Sequence, residues 1–440
     1  MSGVAPEGDP AEDRSFRPGW IGYFHFLGEP PALTRRQWKV LALVSTASFF
    51  DQYDAGLFSL ALKQIQVDLA MPEGSLGFFS SIVMFGSVLA ILLTWAADRF
   101  GRRRLLMITI VAYTLLTGAT AFSPNAETFV ALQFLSRMFI TAEYALAIVV
   151  IGEELDDDAR GWGIGALAAL SACGHGLAYA LFAFIDILPM GWRTLYLVGL
   201  IPLAMVAWMR RDMEETPYFE RLEAGRGGQG APRVGLLAPL RGLVRQYPAR
   251  FAAIGSIFLL LGLAERAAFF FAPKFLQDEH GFSPAVVGMM GLFGGALGVF
   301  ANTLAGRWSD RFGRKRTALV FLTVMPIAVI VFYNAWWGFL PLLWVALLFF
   351  AMGGGVLLSM YGVELFPTSY RSTAAGARAT LSTLGAVLGL GLESLLYGVF
   401  GSHWTAISVL ASLALLAPLI VWVAFPETTG RSLDEISPER

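Results

Sequence analysis

One short signature occurs twice in this chain, 212 residues apart: Asp98-Arg99-Phe100-Gly101-Arg102-Arg103-Arg104 and Asp310-Arg311-Phe312-Gly313-Arg314-Lys315-Arg316. Each copy lies between two long apolar runs. A charged, glycine-containing turn repeated at half the chain length points to two similar halves joined in tandem. Two further landmarks share the spacing. Glu153 and Arg160 return as Glu364 and Arg371, 211 positions on, and Glu215-Thr216 returns as Glu427-Thr428, 212 positions on.

The apolar runs set the fold class. Only 15% of the residues are charged, against about 25% in a typical soluble domain. Twelve segments, from Trp38–Leu62 to Trp404–Phe425, reach roughly the 17–25 residues an α-helix needs to cross a bilayer. The chain is therefore expected to be an all-α membrane protein of twelve transmembrane helices in two pseudo-symmetric six-helix bundles. The expected divisions are an N-terminal tail (1–37), a first bundle (38–209), a glycine- and arginine-rich linker (210–249), a second bundle (250–425) and a C-terminal tail (426–440). No cleavable leader is expected in the first 33 residues. The tails and every second loop hold 26 of the 32 Lys and Arg residues. By the positive-inside rule both termini are cytoplasmic, and an integral plasma (inner) membrane location is expected.

Several chemistries are not expected. Four scattered His and one Cys, Cys173, offer neither a metal set, nor a nucleophile cluster, nor an intrachain disulfide. No G-x-x-x-x-G-K-[ST] loop is present. Neither enzymatic activity nor a cofactor, metal or nucleic acid is expected. The expected partners are the lipid bilayer, a small-molecule substrate and protons, with the proton gradient as energy source and a monomer as the working unit. Parallel halves related by an axis along the membrane normal describe a large class of secondary transporters.

The residues also resemble a known family. The repeated D-R-x-G-R-[RK]-[RK] turn is a hallmark of the major facilitator superfamily, and the likeness covers about Trp38 to Ile436. Glu364-Leu365-Phe366-Pro367-Thr368 with Arg371 resembles the loop between helices 10 and 11 of sugar porters and organic-acid/proton symporters. Pro426-Glu427-Thr428-Thr429-Gly430-Arg431-Ser432-Leu433 is similar to the sugar-porter C-terminal sequence. Asp51-Gln52-Tyr53-Asp54 is similar to the D-G-x-D motif of aromatic-acid/proton symporters, with Gln52 in place of glycine. Helix 7, read as Gly262-Leu263-Ala264-Glu265-Arg266-Ala267-Ala268-Phe269, offers charges where sugar porters carry amides. In helix 4, Gln133 stands where an arginine is usual, with Arg137 one turn deeper. The resemblance implies alternating access, with proton-coupled symport of a small carboxylate, aromatic acids among the candidates, as the leading expectation. A sugar or polyol porter, or proton-driven efflux of a cation or drug, is the alternative.

The charges inside the apolar runs are the candidate site. Asp51 and Asp54 share one face of the first helix, roughly 20–24 Å along it at about 1.5 Å per residue. An ionised carboxylate at that depth costs about 2.5–3.5 kcal/mol on insertion scales. The pair suits uptake and release of a proton, with a purely structural pair as the other reading. Glu143, Glu265 and His175 are further proton-coupling candidates; His175 also suits a hydrogen bond to a neighbouring helix. Arg137 lies about 16 Å into its helix. It stays charged and needs an anion, either Asp54, Glu143 or the substrate. The repeat offset maps Glu265 and Arg266 onto Tyr53 and Asp54. Asp54 and Arg266 are thus expected to face each other across the axis, pairing directly or bracketing an anion. Tyr53 and Phe270, the latter flanked by Phe269 and Phe271, are expected to wall the site. Arg378, two turns into the eleventh helix, suits carboxylate binding or a gate. Glu393, near the outer end of that helix, is expected to be solvated.

The repeated turns suggest a cytoplasmic gate. Gly101 and Gly313 allow a tight reversal. Asp98 and Asp310 are expected to face helix N-termini of the opposite half, where a carboxylate is favoured. Arg99, Arg102, Arg311 and Arg314 are expected to pair with Glu153 and Glu364, alongside Arg160 and Arg371. Arginines that only fix topology are the bland reading.

Overall fold

The computed structural model describes residue 17, residues 30–211 and residues 238–438. Most of the N-terminal tail, most of the linker and the Glu215-Thr216 landmark lie outside the described residues. The first six spans are Arg35–Leu60, Leu76–Phe100, Arg102–Thr120, Ala126–Glu154, Asp157–Phe182, and a sixth broken at Gly199 into Trp192–Val198 and Leu200–Arg210. The second six are Pro248–Asp278, Pro284–Phe312, Arg314–Asn334, Leu340–Glu364, Thr368–Phe400, and a twelfth in two pieces, His403–Ala414 and Leu416–Ala424. Ten of these are long and apolar enough to cross a membrane by composition alone. The other two are the first, which holds Asp51 and Asp54, and the third, which opens on three arginines.

Local chemistry fixes the helix ends. Thr34 and Gln37 form a capping box at the first span, with Gln37 N donating to Thr34 Oγ1 at 3.2 Å and Thr34 N to Gln37 Oε1 at 3.0 Å; this satisfies two otherwise unpaired donors. Asn125 caps the fourth span through Thr128 N at 2.9 Å. The seventh and eighth spans begin with proline, whose missing N–H costs nothing in a first turn. Gly101 and Gly313 both have φ +99°, a backbone region that L side chains rarely enter, so each repeated turn reverses on its glycine.

The repeat extends to the packing. In the first half, a Cβ on Gly174 would collide with the carbonyl of Phe49, so the fifth span rests directly on the backbone of the first. In the second half, Gly385 stands in the same relation to Leu259, and the eleventh span rests on the seventh. Small residues that allow backbones to meet are the usual means of packing helices in lipid.

The two bundles join at the end remote from the arginine turns. There Ser59 Oγ donates to the carbonyl of Phe270 at 2.8 Å, Ser81 Oγ to that of Val387 at 2.8 Å, and Ser394 Oγ to that of Gly74 at 2.5 Å. Gly288 and Gly291 seat the eighth span on Tyr179 of the fifth. Toward the arginine-rich end a cavity of about 870 Å³ lies along the second bundle, lined by Phe258, Asn302, Met360 and Arg378 among others.

Three expectations change. Arg210, assigned to the linker, ends the sixth span and is 1% exposed. The linker's last part is a helix, Ala238–Gln246, with Leu243 buried. The C-terminal tail is held: Glu427 binds the turn at Arg314, and Leu433–Ile436 forms a capped helical turn.

Candidate functional site

Asp51 and Asp54 are 0% and 3% exposed, but their surroundings differ. Asp51 sits inside the first bundle, within the field of Glu143, Arg210 and Asp54. Neither of its carboxyl oxygens has a hydrogen-bond partner among the described residues. Asp54 sits in the field of Arg137, whose Nη2 donates to the carbonyl of Ala55 at 3.2 Å. Glu143 is not the anion for Arg137. It is ion-paired with Arg210 and accepts a hydrogen bond from Thr109. Arg210 also reaches the carbonyl of Leu43 at 3.3 Å.

The first bundle thus holds three interior carboxylates, Asp51, Asp54 and Glu143, beside two guanidiniums, Arg137 and Arg210. A charge-neutral cluster requires one added proton. Arg210 was hidden by its place beside Arg211 at the end of an apolar run. The readable signal was helical spacing, since Leu203, Val206 and Arg210 form one buried stripe.

Tyr53 does not face the site. Its ring is 1% exposed and its hydroxyl donates to the carbonyl of Leu195 at 2.7 Å. Asp54 and Arg266 form no direct ion pair, one of the two arrangements the repeat left open; the charge that reaches Arg266 across the axis is Arg137. Arg266 and His175 are both open to solvent, and both lie in the field of Arg137. His175 lies against the first span, where a Cβ on Gly56 would sit 3.4 Å from its Cδ2. Glu265, partly buried, acts on its neighbour Arg266. These groups converge on the space between the bundles.

Arg378 occupies the cavity wall with its guanidinium 5.4 Å from the ring centroid of Phe258. Its Nη1 is buried without a hydrogen-bond partner. Among the described residues, Arg137, Arg266 and Arg378 make no ion pair. Phe270 is 8% exposed and meets Phe58 of the first bundle edge-on at 5.1 Å. It therefore belongs to the contact that closes the far end, one turn beyond Arg266.

The arginine turns are braced within each half. Arg102 meets Glu153 at 3.1 Å, and Arg314 meets Glu364 at 2.5 Å. Arg160 donates to the carbonyl of Gly152 at 2.8 Å and Arg371 to that of Val363 at 3.1 Å, each eight residues back. Arg99 and Arg311 lie over Phe100 and Phe312 at 5.6 and 5.4 Å. The helix N-terminus at Arg314 receives Glu427 of its own half, through Arg314 N at 2.8 Å, rather than an aspartate of the other half. Among the described residues Asp310 accepts only from Arg314, at 3.4 Å; the side chain of Asp98 lies outside the described residues.

The expectation for Glu393 also fails. It is 0% exposed and bound to His403 Nδ1 at 2.5 Å. A buried acid near a helix end had no sequence signal, because its partner comes from the next span.

Comparisons with known proteins agree with this architecture. A family model described as Major Facilitator Superfamily matches residues 44–300 and 254–439. A probable 4-methylmuconolactone transporter of Cupriavidus pinatubonensis is 27% identical, covering 88% of this chain and 90% of its own. A niacin transporter of Acinetobacter baylyi is 24% identical over 94% and 97%, and a cis,cis-muconate transport protein of the same organism 26% identical over 80% and 86%. A crystal structure of a D-xylose-proton symporter superposes with a TM-score of 0.73 at 17% identity, covering 90% of this chain and 99% of that one.

Proposed function

The chain belongs to the Major Facilitator Superfamily, and from that premise we propose that it is a proton-coupled symporter of a small organic carboxylate, working by alternating access. The observation that carries this reading is the relation of Arg137 and Arg266. Arg266 of the second bundle lies in the field of Arg137 of the first, and among the described residues neither makes an ion pair. Guanidinium keeps its charge, and two like charges facing one central space favour an anion between them. The three relatives named for methylmuconolactone, niacin and muconate support a small unsaturated acid over a sugar.

The proton would be carried by the cluster of Asp51, Asp54 and Glu143, where three carboxylates face two guanidiniums. Glu143 is committed to Arg210 and Thr109, which leaves Asp51 and Asp54; of these, Asp54 is the one in the field of Arg137 and is taken as the carrier. Carboxylate arrival at Arg137 weakens that arginine's hold on Asp54 and favours its protonation, so proton and substrate load together. Arg378, lower in the cavity, would guide the anion in or out. The arginine-rich end is taken as cytoplasmic, which makes this arrangement open to the cytoplasm, and a monomer in the plasma membrane as the working unit.

Internal pH of proteoliposomes with a trapped dye tests the reading. Niacin, muconate, an aliphatic acid, a sugar and an organic cation are added singly against protein-free liposomes. Acidification with one acid class, lost in Asp54→Asn, supports it. Labelled sugar uptake with no pH response to any acid overturns it.

A further inference from the structure

We propose that the buried pair Glu393–His403 is a second proton-binding site, whose occupancy closes the end of the transporter remote from the arginine turns. His403 opens the twelfth span, with its ring stacked between Phe271 of the seventh, 4.8 Å centroid to centroid, and Tyr397 of the eleventh, at 4.3 Å. This clamp fixes the direction of both ring nitrogens. Nδ1 lies 2.5 Å from Glu393 Oε1, and Nε2 lies 3.4 Å from Glu73 Oε1. An imidazole with carboxylates at both nitrogens carries a proton on each, and is then a cation.

Glu73 belongs to the first bundle, in the connection before the second span, whereas Glu393 and His403 belong to the second bundle. The contact therefore crosses between the moving bodies. It is one strand of a larger network. Lys274, 3% exposed on the seventh span, meets Glu73 at 3.0 Å and Asp278 at 2.5 Å. Its Nζ donates to Gln66 Oε1 at 2.7 Å. Lys63 of the first bundle meets Asp278 at 2.8 Å. The remaining groups facing the pair are Tyr397 and Tyr333, the latter in the field of Glu393. Glu279 stands at the rim, bound to Trp404 Nε1 at 2.5 Å.

Three carboxylates, Glu73, Glu393 and Asp278, thus face two lysines, Lys63 and Lys274. One proton on the Glu393–His403 pair completes neutrality. Without it, closure would bury the Glu393 carboxylate, 0% exposed, against a neutral imidazole, which is unfavourable. The second span is shaped for the closed arrangement: a Cβ on Gly77 would collide with Glu393 Oε2, so glycine lets the helix close over the carboxylate. When the bundles part at this end, Glu73, Gln66 and Lys63 leave with the first bundle, and the pair meets water. A proton is taken up from that side on closing and returned to it on opening. The pair therefore sets how acidity on that side biases the resting conformation, separately from the central acids.

Spin-label distances in the full chain, in lipid nanodiscs without substrate, test this. The background is Cys173→Ser with nitroxides at Val67→Cys and Val399→Cys, positions that are 75% exposed at this end on opposite bundles. One linked proton predicts that the closed-to-open ratio rises up to about tenfold per pH unit on acidification. Asp54→Asn should keep this response, while His403→Gln and Glu393→Gln should each flatten it. If His403→Gln does not fold, Glu73→Gln removes the first bundle's side of the contact and should shrink the response. A distance distribution that ignores pH, or a pH response intact in Glu393→Gln and Glu73→Gln, overturns the proposal.

Discussion

Arg210 and Glu143 form an ion pair in the interior of the first bundle, with side chains 1% and 0% exposed. Glu143 also accepts from Thr109 of the third span, and Arg210 donates to Leu43 of the first at 3.3 Å. The pair therefore ties four spans together. Removing one partner breaks the direct pair and leaves the other charge buried with only Asp51 nearby among the described residues, a loss of about 3–5 kcal/mol. Glu143→Gln and Arg210→Met should each lower the melting temperature of the purified protein strongly. The double variant should recover part of the loss, because neither charge remains. Strictly additive melting shifts would show that the two side chains act independently.

Gly101 and Gly313 share φ +99°. An alanine at either position meets the same backbone penalty, about 1–3 kcal/mol for a region used almost only by glycine. At Gly313 the new Cβ would also lie 2.8 Å from Glu427 Oε2. Gly313→Ala should therefore cost more than the backbone penalty alone, and it should cost less when made in a Glu427→Ala background. Equal melting shifts for Gly313→Ala in the wild-type and Glu427→Ala backgrounds would count against the contact with Glu427.

Glu427 lies outside the spans, and its carboxylate is favoured there. Burial alone would raise its pKa; hydrogen bonds from Thr429 and from the backbone N–H groups of Arg314 and Lys315 outweigh this and hold the carboxyl below its ordinary range. The folded value is lower than the unfolded one. Its stabilisation is therefore complete above the ordinary carboxylate range and is lost as pH falls through that range toward the folded value. Hydrogen-exchange protection of residues 426–437, corrected for the intrinsic rate, should fall on acidification more than in Glu427→Gln compared at the same pH. Identical profiles in the two proteins would rule out this carboxylate as the anchor.

The twelve spans and their two-fold repeat were legible because lipid imposes a crude rule: long apolar stretches, positive charge on one side. The offset of 211 and 212 positions carries down to single contacts, as Arg102–Glu153 and Arg314–Glu364 show. Partnerships inside the bundles were not legible. Glu143 paired with Arg210 rather than Arg137, because pairing depends on which helix faces rotate inward, and charge spacing along one helix does not report that. Tyr53 turned away from the centre for the same reason. Glu393 looked solvated because its depth was judged from its own helix, while His403, which covers it, begins the next. Glu427 was read as a family signature, and its bond to the Arg314 turn required the third dimension.

Asp54 and Arg266 make separable contributions to transport if the carboxylate symport reading holds. Asp54 is 3% exposed beside Arg137, and Arg266 is open to the centre from the other bundle. Asp54→Asn keeps the shape and hydrogen-bonding capacity of the side chain but removes its proton chemistry. It should abolish accumulation driven by a pH gradient and spare exchange of substrate across the bilayer. Arg266→Gln keeps the proton carrier and removes one guanidinium. A hydrogen bond to a charged group contributes about 1.5–3 kcal/mol, so the half-saturating concentration of a carboxylate substrate should rise on the order of ten- to a hundredfold, with uphill transport retained at saturation. Both variants are measured in one proteoliposome preparation, as uphill uptake with a pH gradient and as exchange without one. Retained accumulation in Asp54→Asn would move the coupling role to Asp51 or Glu265. Unchanged affinity in Arg266→Gln would leave Arg137 and Arg378 as the anion's partners and make Arg266 a structural neighbour of Glu265.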